Sequence, residues 1–118
     1  MRLLIIDDEE NIRRTTAVVL EGLGHDTTAA ENRTEALDDE RRREVAEADA
    51  ITFTSASTAR NLRDALGAAT IPAAARLISI GPQTSAAVLA AFGRVDAEAA
   101  QPDLDALVAA VTEALGWA

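Results

Sequence analysis

The chain has 118 residues, enough for one domain with a single well-formed core and too few for two. Eleven basic against twenty acidic side chains leave a net charge of −9, a field that repels phosphate backbones and anionic lipid, so neither nucleic acid nor a membrane is expected as a partner. There is no cysteine, hence no disulfide or thiolate metal site, and every basic residue is arginine, so no lysine chemistry exists.

Short apolar runs alternate with longer segments of helical period, the pattern of successive βα units on a parallel sheet. The first strand reads Leu3, Leu4, Ile5, Ile6 and ends on Asp7. Its helix runs from about Asn11, with Ile12, Thr16, Val19, Leu20 and Leu23 on one face, and stops at Gly22 and Gly24. A more polar strand over Asp26 to Ala30 suits a sheet edge. The next helix, from about Thr34 to Ala46, carries Asp38, Asp39, Glu40 and Arg41 to Arg43, the composition of a solvated face with i,i+4 pairs.

The third strand, Ala50 to Thr54, leads into a helix that Ser57 could cap, with Leu62 and Leu66 inward. The fourth, Leu77 to Ile80, ends at Gly81, and Pro82 suits the first position of a helix burying Val88, Leu89 and Phe92. A short fifth strand lies near Val95 to Ala99. Asp103 then opens a helix whose Leu104, Leu107, Val108, Val111 and Leu115 form an inward stripe. The expected fold is α/β: a flavodoxin-like three-layer domain spanning residues 1–118, with a five-stranded parallel sheet in the order 2-1-3-4-5, which keeps every crossover right-handed.

Ligands of such a fold bind beyond the carboxyl ends of the strands. There Ser55, Ser57 and Thr84 fall at helix N-termini, where free N–H groups and the helix dipole favour an anion; simple helix capping is the alternative, and the stronger one for Ser57. Asp7 and Asp8 offer hard oxygen ligands for weak Mg²⁺ or Ca²⁺ binding, against the alternative of two solvated carboxylates, and no other cofactor is expected. A serine nucleophile at Ser55 needs a base, and the single histidine, His25, precedes the second strand at the opposite end of the sheet, so no catalytic residue is expected. Trp117 reads as a cap on the last helix rather than a ligand contact.

The stretch Leu3-Leu4-Ile5-Ile6-Asp7-Asp8-Glu9-Glu10-Asn11-Ile12-Arg13, continued through Leu20 to His25 and Ala30 to Leu37, resembles the start of a response-regulator receiver domain. That resemblance implies Mg²⁺ at Asp7 and Asp8. It also implies an aspartate where Thr54 stands and a lysine near Ala100 or Gln101, and neither is present.

From about Ala48 onward the likeness is to a different family. Asp49-Ala50-Ile51-Thr52-Phe53-Thr54-Ser55-Ala56-Ser57-Thr58, Ser79-Ile80-Gly81-Pro82-Gln83-Thr84-Ser85, and Val95 to Ala99 with Pro102 to Val108 resemble uroporphyrinogen-III synthase. That family implies two flavodoxin-like lobes with a linear tetrapyrrole held between them, of which this chain supplies at most one, its first strand and helix replaced by the receiver-like segment.

A receiver-like segment over 1–38 and a synthase-like segment over 48–116 together imply an engineered or reconstructed chimera without intrinsic catalytic activity, a soluble cytoplasmic-type protein that is a monomer or weak homodimer and requires no partner. The alternatives are a residual tetrapyrrole- or anion-binding lobe and a degenerate receiver domain with weak cation binding.

Overall fold

The computed structural model describes residues 2–6, 10–22, 24, 26–30, 39–66 and 71–116. In chain order these form β1 (Arg2–Ile6), α1 (Glu10–Gly22), β2 (Asp26–Ala30), α2 (Asp39–Glu47), β3 (Ala50–Phe53), α3 (Ala56–Leu66), β4 (Arg76–Ser79), α4 (Pro82–Phe92), β5 (Ala97–Glu98) and α5 (Leu104–Ala114). Every strand pair is parallel, and the strands lie side by side as β2-β1-β3-β4-β5. The α/β class with a parallel sheet, expected from the alternation of apolar runs and helical periods, is what the chain adopts.

The three interior strands are buried from Leu3, Ala50 and Leu77 to their ends and are apolar there except for Thr52 and Ser79, because both faces of the sheet are covered, and successive residues alternate between two cores. Leu4, Ile6, Ile51, Phe53 and Leu77 pack with Val45 of α2, Ala59, Leu62 and Leu66 of α3, and Val88 of α4. On the other face Leu3, Ile5, Ala50 and Ile78 pack with Leu20 of α1 and Leu107, Ala110 and Val111 of α5. The Phe53 and Phe92 rings meet with centroids 5.8 Å apart, a tilted contact that ties the end of α4 to the centre of the sheet.

The starts of the strands are latched by carboxylates. Asp49 Oδ2 accepts from the Arg2 backbone N–H at 2.7 Å, and Asp96 Oδ2 accepts from that of Leu77 at 2.7 Å. Asp96 is also paired with Arg94, and Arg2 with Glu47.

Several expected details change. Val19 of α1 is 38% exposed and Leu89 of α4 is 55% exposed, although both were expected inward. Helical rotation explains both. Each residue advances the helix by roughly 100°, so a sheet centred beneath Thr16 and Leu20 leaves Val19 at the margin, and one centred beneath Val88 leaves Leu89 there. The fourth strand stops at Ser79 rather than Ile80, and the fifth contracts to Ala97–Glu98. The described part of α2 begins at Asp39; its expected start near Thr34, like Ile12's side chain, Leu23, His25 and Trp117, lies outside the described residues.

Two threonines contradict the apolar pattern of the sheet's α1/α5 face. Thr16 of α1 and Thr52 of β3 are fully buried, and neither hydroxyl has a hydrogen-bond partner among the described residues. A buried hydroxyl without a partner carries a desolvation cost of about 1–3 kcal/mol. Thr52→Val keeps the shape and removes that cost, so it should raise the unfolding free energy by about 1 kcal/mol in urea titrations. A fall of similar size would show that the Thr52 hydroxyl is satisfied by a bound water.

Candidate functional site at the carboxyl end of the sheet

The parallel sheet places the ends of β3 and β4 beside each other, with Phe53 registered on Ser79. The turns into α3 and α4 therefore leave the same edge of the sheet side by side. This edge is rich in hydroxyls and glycine: Thr54, Ser55, Ser57 and Thr58 on one turn, Ser79, Gly81, Thr84 and Ser85 on the other.

On the first turn the local sequence closes on itself. Ser55 Oγ accepts from the Thr58 N–H at 3.3 Å, while the Ser55 N–H reaches Thr58 Oγ1 at 3.4 Å, a reciprocal capping arrangement with threonine where glutamate is usual. The Thr58 hydroxyl donates to the Ser55 carbonyl at 2.6 Å. Ser55, not Ser57, is thus the cap; Ser57 lies one residue inside the helix, its Oγ 3.0 Å from that of Ser55. The shift of the cap by two residues follows from the strand ending at Phe53 and the helix starting at Ala56, which leaves Ser55 as the residue just before the helix. Thr54 turns back across the sheet, its hydroxyl donating to the Ile6 carbonyl at 3.4 Å.

The second turn is built differently. Gly81 is the N-cap of α4 and has no side chain to offer, and Pro82 follows it without an N–H. The Ser85 N–H closes the first helical bond on the Gly81 carbonyl at 2.8 Å. The Gln83 and Thr84 N–H groups are thereby the first-turn donors of α4 that no cap satisfies among the described residues. By contrast α5 is capped by Asp103, whose Oδ1 accepts from the Ala106 N–H at 2.8 Å. A Cβ placed on Gly81 would meet nothing within 4 Å, so there is open space in front of the turn.

A polar cluster that the sequence reading did not single out holds this turn from behind. The fully buried Ser79 hydroxyl donates to the Gly81 carbonyl at 2.8 Å, and its oxygen accepts the Gly81 N–H at 3.1 Å. Ser85 Oγ lies 2.9 Å from Ser79 Oγ and donates to Glu98 Oε1 at 2.6 Å. The available signal was Ser79 itself, a polar residue inside an otherwise apolar strand.

Of the expected site residues, Ser55, Ser57 and Thr84 stand at this one edge, on two neighbouring helix starts, with Thr84 buried and the two serines half-buried. Asp7 and Asp8, the expected cation ligands, lie outside the described residues. Among the described residues no cluster of three acidic or imidazole side chains could hold a metal ion. A concavity of about 240 Å³ lies elsewhere, on the α3/α4 face near the other end of the helices, lined by Arg63, Leu66, Ile71, Leu77, Ala91, Phe92 and Arg94.

Residues 10–109 match the family model of uroporphyrinogen-III synthase HemD. The chain belongs to the uroporphyrinogen-III synthase family. No curated protein matches it. Among solved structures, uroporphyrinogen-III synthetase from Helicobacter pylori 26695 is similar at 22% identity with a TM-score of 0.53, covering 95% of this chain and 53% of that one. A fusion carrying the yeast Spc42 trimeric coiled-coil segment is similar at 15% identity with a TM-score of 0.58, covering 98% of this chain and 78% of that one. Both likenesses show the fold. The chain spans about half the length of the Helicobacter pylori enzyme, 53%.

These findings overturn the reading of an inactive chimera. The synthase match starts at residue 10, inside the supposed receiver-like segment, and runs without a break across the supposed junction at 38–48. An apolar strand followed by acidic residues is common to the first strand of parallel α/β domains and does not distinguish one family from another. The expectation that the chain is not an enzyme is withdrawn with the chimera, because the family it belongs to is one of enzymes. No helix among the described residues is long and apolar enough to cross a membrane.

The capping geometry has a direct consequence. Ser55→Ala removes the acceptor for the Thr58 N–H and should cost about 1 kcal/mol of stability, whereas Ser57→Ala should cost a few tenths. Thermal melts of the two variants check the order; a larger loss at Ser57 would return the cap to that residue.

Proposed function

We propose that this chain is one lobe of a tetrapyrrole-handling enzyme of the uroporphyrinogen-III synthase type, gripping acidic side chains of a linear tetrapyrrole at the carboxyl ends of β3 and β4. The observation that carries the reading is the family match over residues 10–109. The site chemistry agrees with it. In this reading the lobe is a single flavodoxin-like unit with strand order 2-1-3-4-5, and the Gln83 and Thr84 N–H groups with the hydroxyls of Ser55, Ser57 and Thr84 receive carboxylates of the substrate. A carboxylate at a helix N-terminus gains about 0.3–1 kcal/mol when exposed and up to ~2 kcal/mol when partly buried. Several such contacts offset the repulsion from a chain of net charge −9.

Chemistry of this kind needs positioning more than a potent nucleophile. Ring closure to the type III isomer requires the last ring of hydroxymethylbilane to invert before it closes, and a site that fixes the other rings while admitting that motion lowers the barrier. A single lobe leaves the substrate open to water on one side. A second lobe or a second copy of this chain would complete the cleft, in keeping with the half-length match. The weak cation expected at Asp7 and Asp8 has no part in this reading.

The test is conversion of hydroxymethylbilane, with isomers separated chromatographically over a range of protein concentrations. Type III isomer should appear above the spontaneous background, rising more steeply than in proportion to protein where two copies build the cleft. Gly81→Val, which fills the open space before the α4 turn, should lower that yield about ten-fold with little change in thermal stability. Spontaneous isomer alone at every concentration would contradict the proposal.

A further inference from the structure

We propose that the concavity between α3 and α4 is a binding site for a small aromatic carboxylate, separate from the carboxyl-end edge and independent of the tetrapyrrole reading. Leu77 stands near the start of β4, while Arg63 and Leu66 close α3 and Phe92 closes α4, so the cavity lies toward the amino ends of the strands. Its floor is apolar. Leu66 and Leu77 are buried, and Ile71 and Phe92 pack partly buried against the same core.

The volume, about 240 Å³, sets the size of the occupant. An apolar cavity of about 150 Å³ takes benzene, and clefts for drug-sized ligands begin near roughly 300 Å³. One ring carrying a short polar group falls between these limits. A tetrapyrrole does not.

The two lining arginines set the sign of that polar group, since among the described residues no acidic side chain lines the cavity beside them. Arg94 is held before any ligand arrives. One of its terminal nitrogens donates to Asp96 and the other to the Pro72 carbonyl at 3.1 Å. Asp96 is fixed in turn, its Oδ2 accepting the Leu77 N–H at 2.7 Å and its own N–H donating to the Leu77 carbonyl at 2.9 Å. A guanidinium has five N–H donors, and the two bonds to Asp96 and Pro72 occupy only part of them. The Arg94 side chain is 32% exposed, so the rest of the group is within reach of a carboxylate, and a donor already anchored costs little to order. Asp96, which does not line the cavity, offsets part of the Arg94 charge, and Arg63 in the last turn of α3 adds to it.

One effect opposes an anion here. Both α3 and α4 end beside the cavity, and helix carboxyl ends taken alone favour cations. The arginines reverse that preference, and the charge of the bound species shows which effect wins.

The experiment titrates the full chain with benzoate, benzylamine, benzyl alcohol and acetate, followed by ¹⁵N-resolved NMR. Benzoate should saturate with a Kd on the order of 1 mM and shift the amides of Ile71, Ala91, Phe92 and Arg94. Benzyl alcohol and benzylamine should bind about ten-fold more weakly or worse, the size of one lost charge-assisted contact, and acetate, which has no ring, should leave those amides unmoved. Arg94→Gln should weaken benzoate about ten-fold. Because that change also releases Asp96, Ala91→Leu serves as a second variant: it fills the cavity, leaves both arginines in place and should weaken benzoate by a similar factor. The proposal is overturned by the absence of saturable shifts at 71 and 91–94, by benzylamine or benzyl alcohol binding as tightly as benzoate, or by undiminished benzoate affinity in Ala91→Leu.

Discussion

Burial of both faces of β1, β3 and β4 is the constraint on which the rest of this molecule depends. Leu3 to Ile6, Ala50 to Phe53 and Leu77 to Ser79 are all buried, half of each run facing α2, α3 and α4 and half facing α1 and α5. Each fully buried Leu, Ile or Phe side chain contributes about 1.5–3 kcal/mol. Because Phe53 and Ser79 are fully inaccessible and registered on each other, the two turns that follow them leave the sheet from fixed points. The edge that carries the hydroxyls and the open amides is thus positioned by the core and not by its own loops.

That dependence explains what could be read from the chain and what could not. The apolar runs of β1, β3 and β4 and the stripe of Leu107 and Val111 on α5 were legible because burial on two faces leaves a direct trace in residue type. The rotation of α1 and α4 was not. Val19 and Leu89 are as apolar as their neighbours Leu20 and Val88, and which of each pair turns inward is set by where the sheet lies. Ser55 and Ser57 are both good caps, and the choice between them depends on where β3 ends. The pairing of Ser79 with Glu98 is a matter of strand register between distant segments, which no local pattern encodes. The receiver-like reading of the N-terminus failed for a related reason: a short acidic strand end is too common to identify a family.

Under the proposed function, a chain of net charge −9 that takes an acidic substrate has to create its attraction locally. In that reading the α4 turn does so without a basic side chain. Glycine and proline at the helix start supply no capping group, leaving the Gln83 and Thr84 amides open. The α3 turn, by contrast, is closed by its own serine and threonine. In the proposed reading the α3 turn is a rigid shoulder that presents its hydroxyls and the α4 turn is a surface of open backbone donors. Backbone amides held in this way need no reorganisation when an anion arrives, which is the property positioning catalysis requires.

The most direct test of this account is to locate an acidic tetrapyrrole on the molecule. In ¹⁵N-resolved NMR titrations with uroporphyrin III, the account predicts that the shifted amides cluster at 54–58 and 81–85, with those of Gln83 and Thr84 moving downfield as they gain an acceptor. Perturbations centred instead on the Arg63 and Arg94 concavity would contradict it.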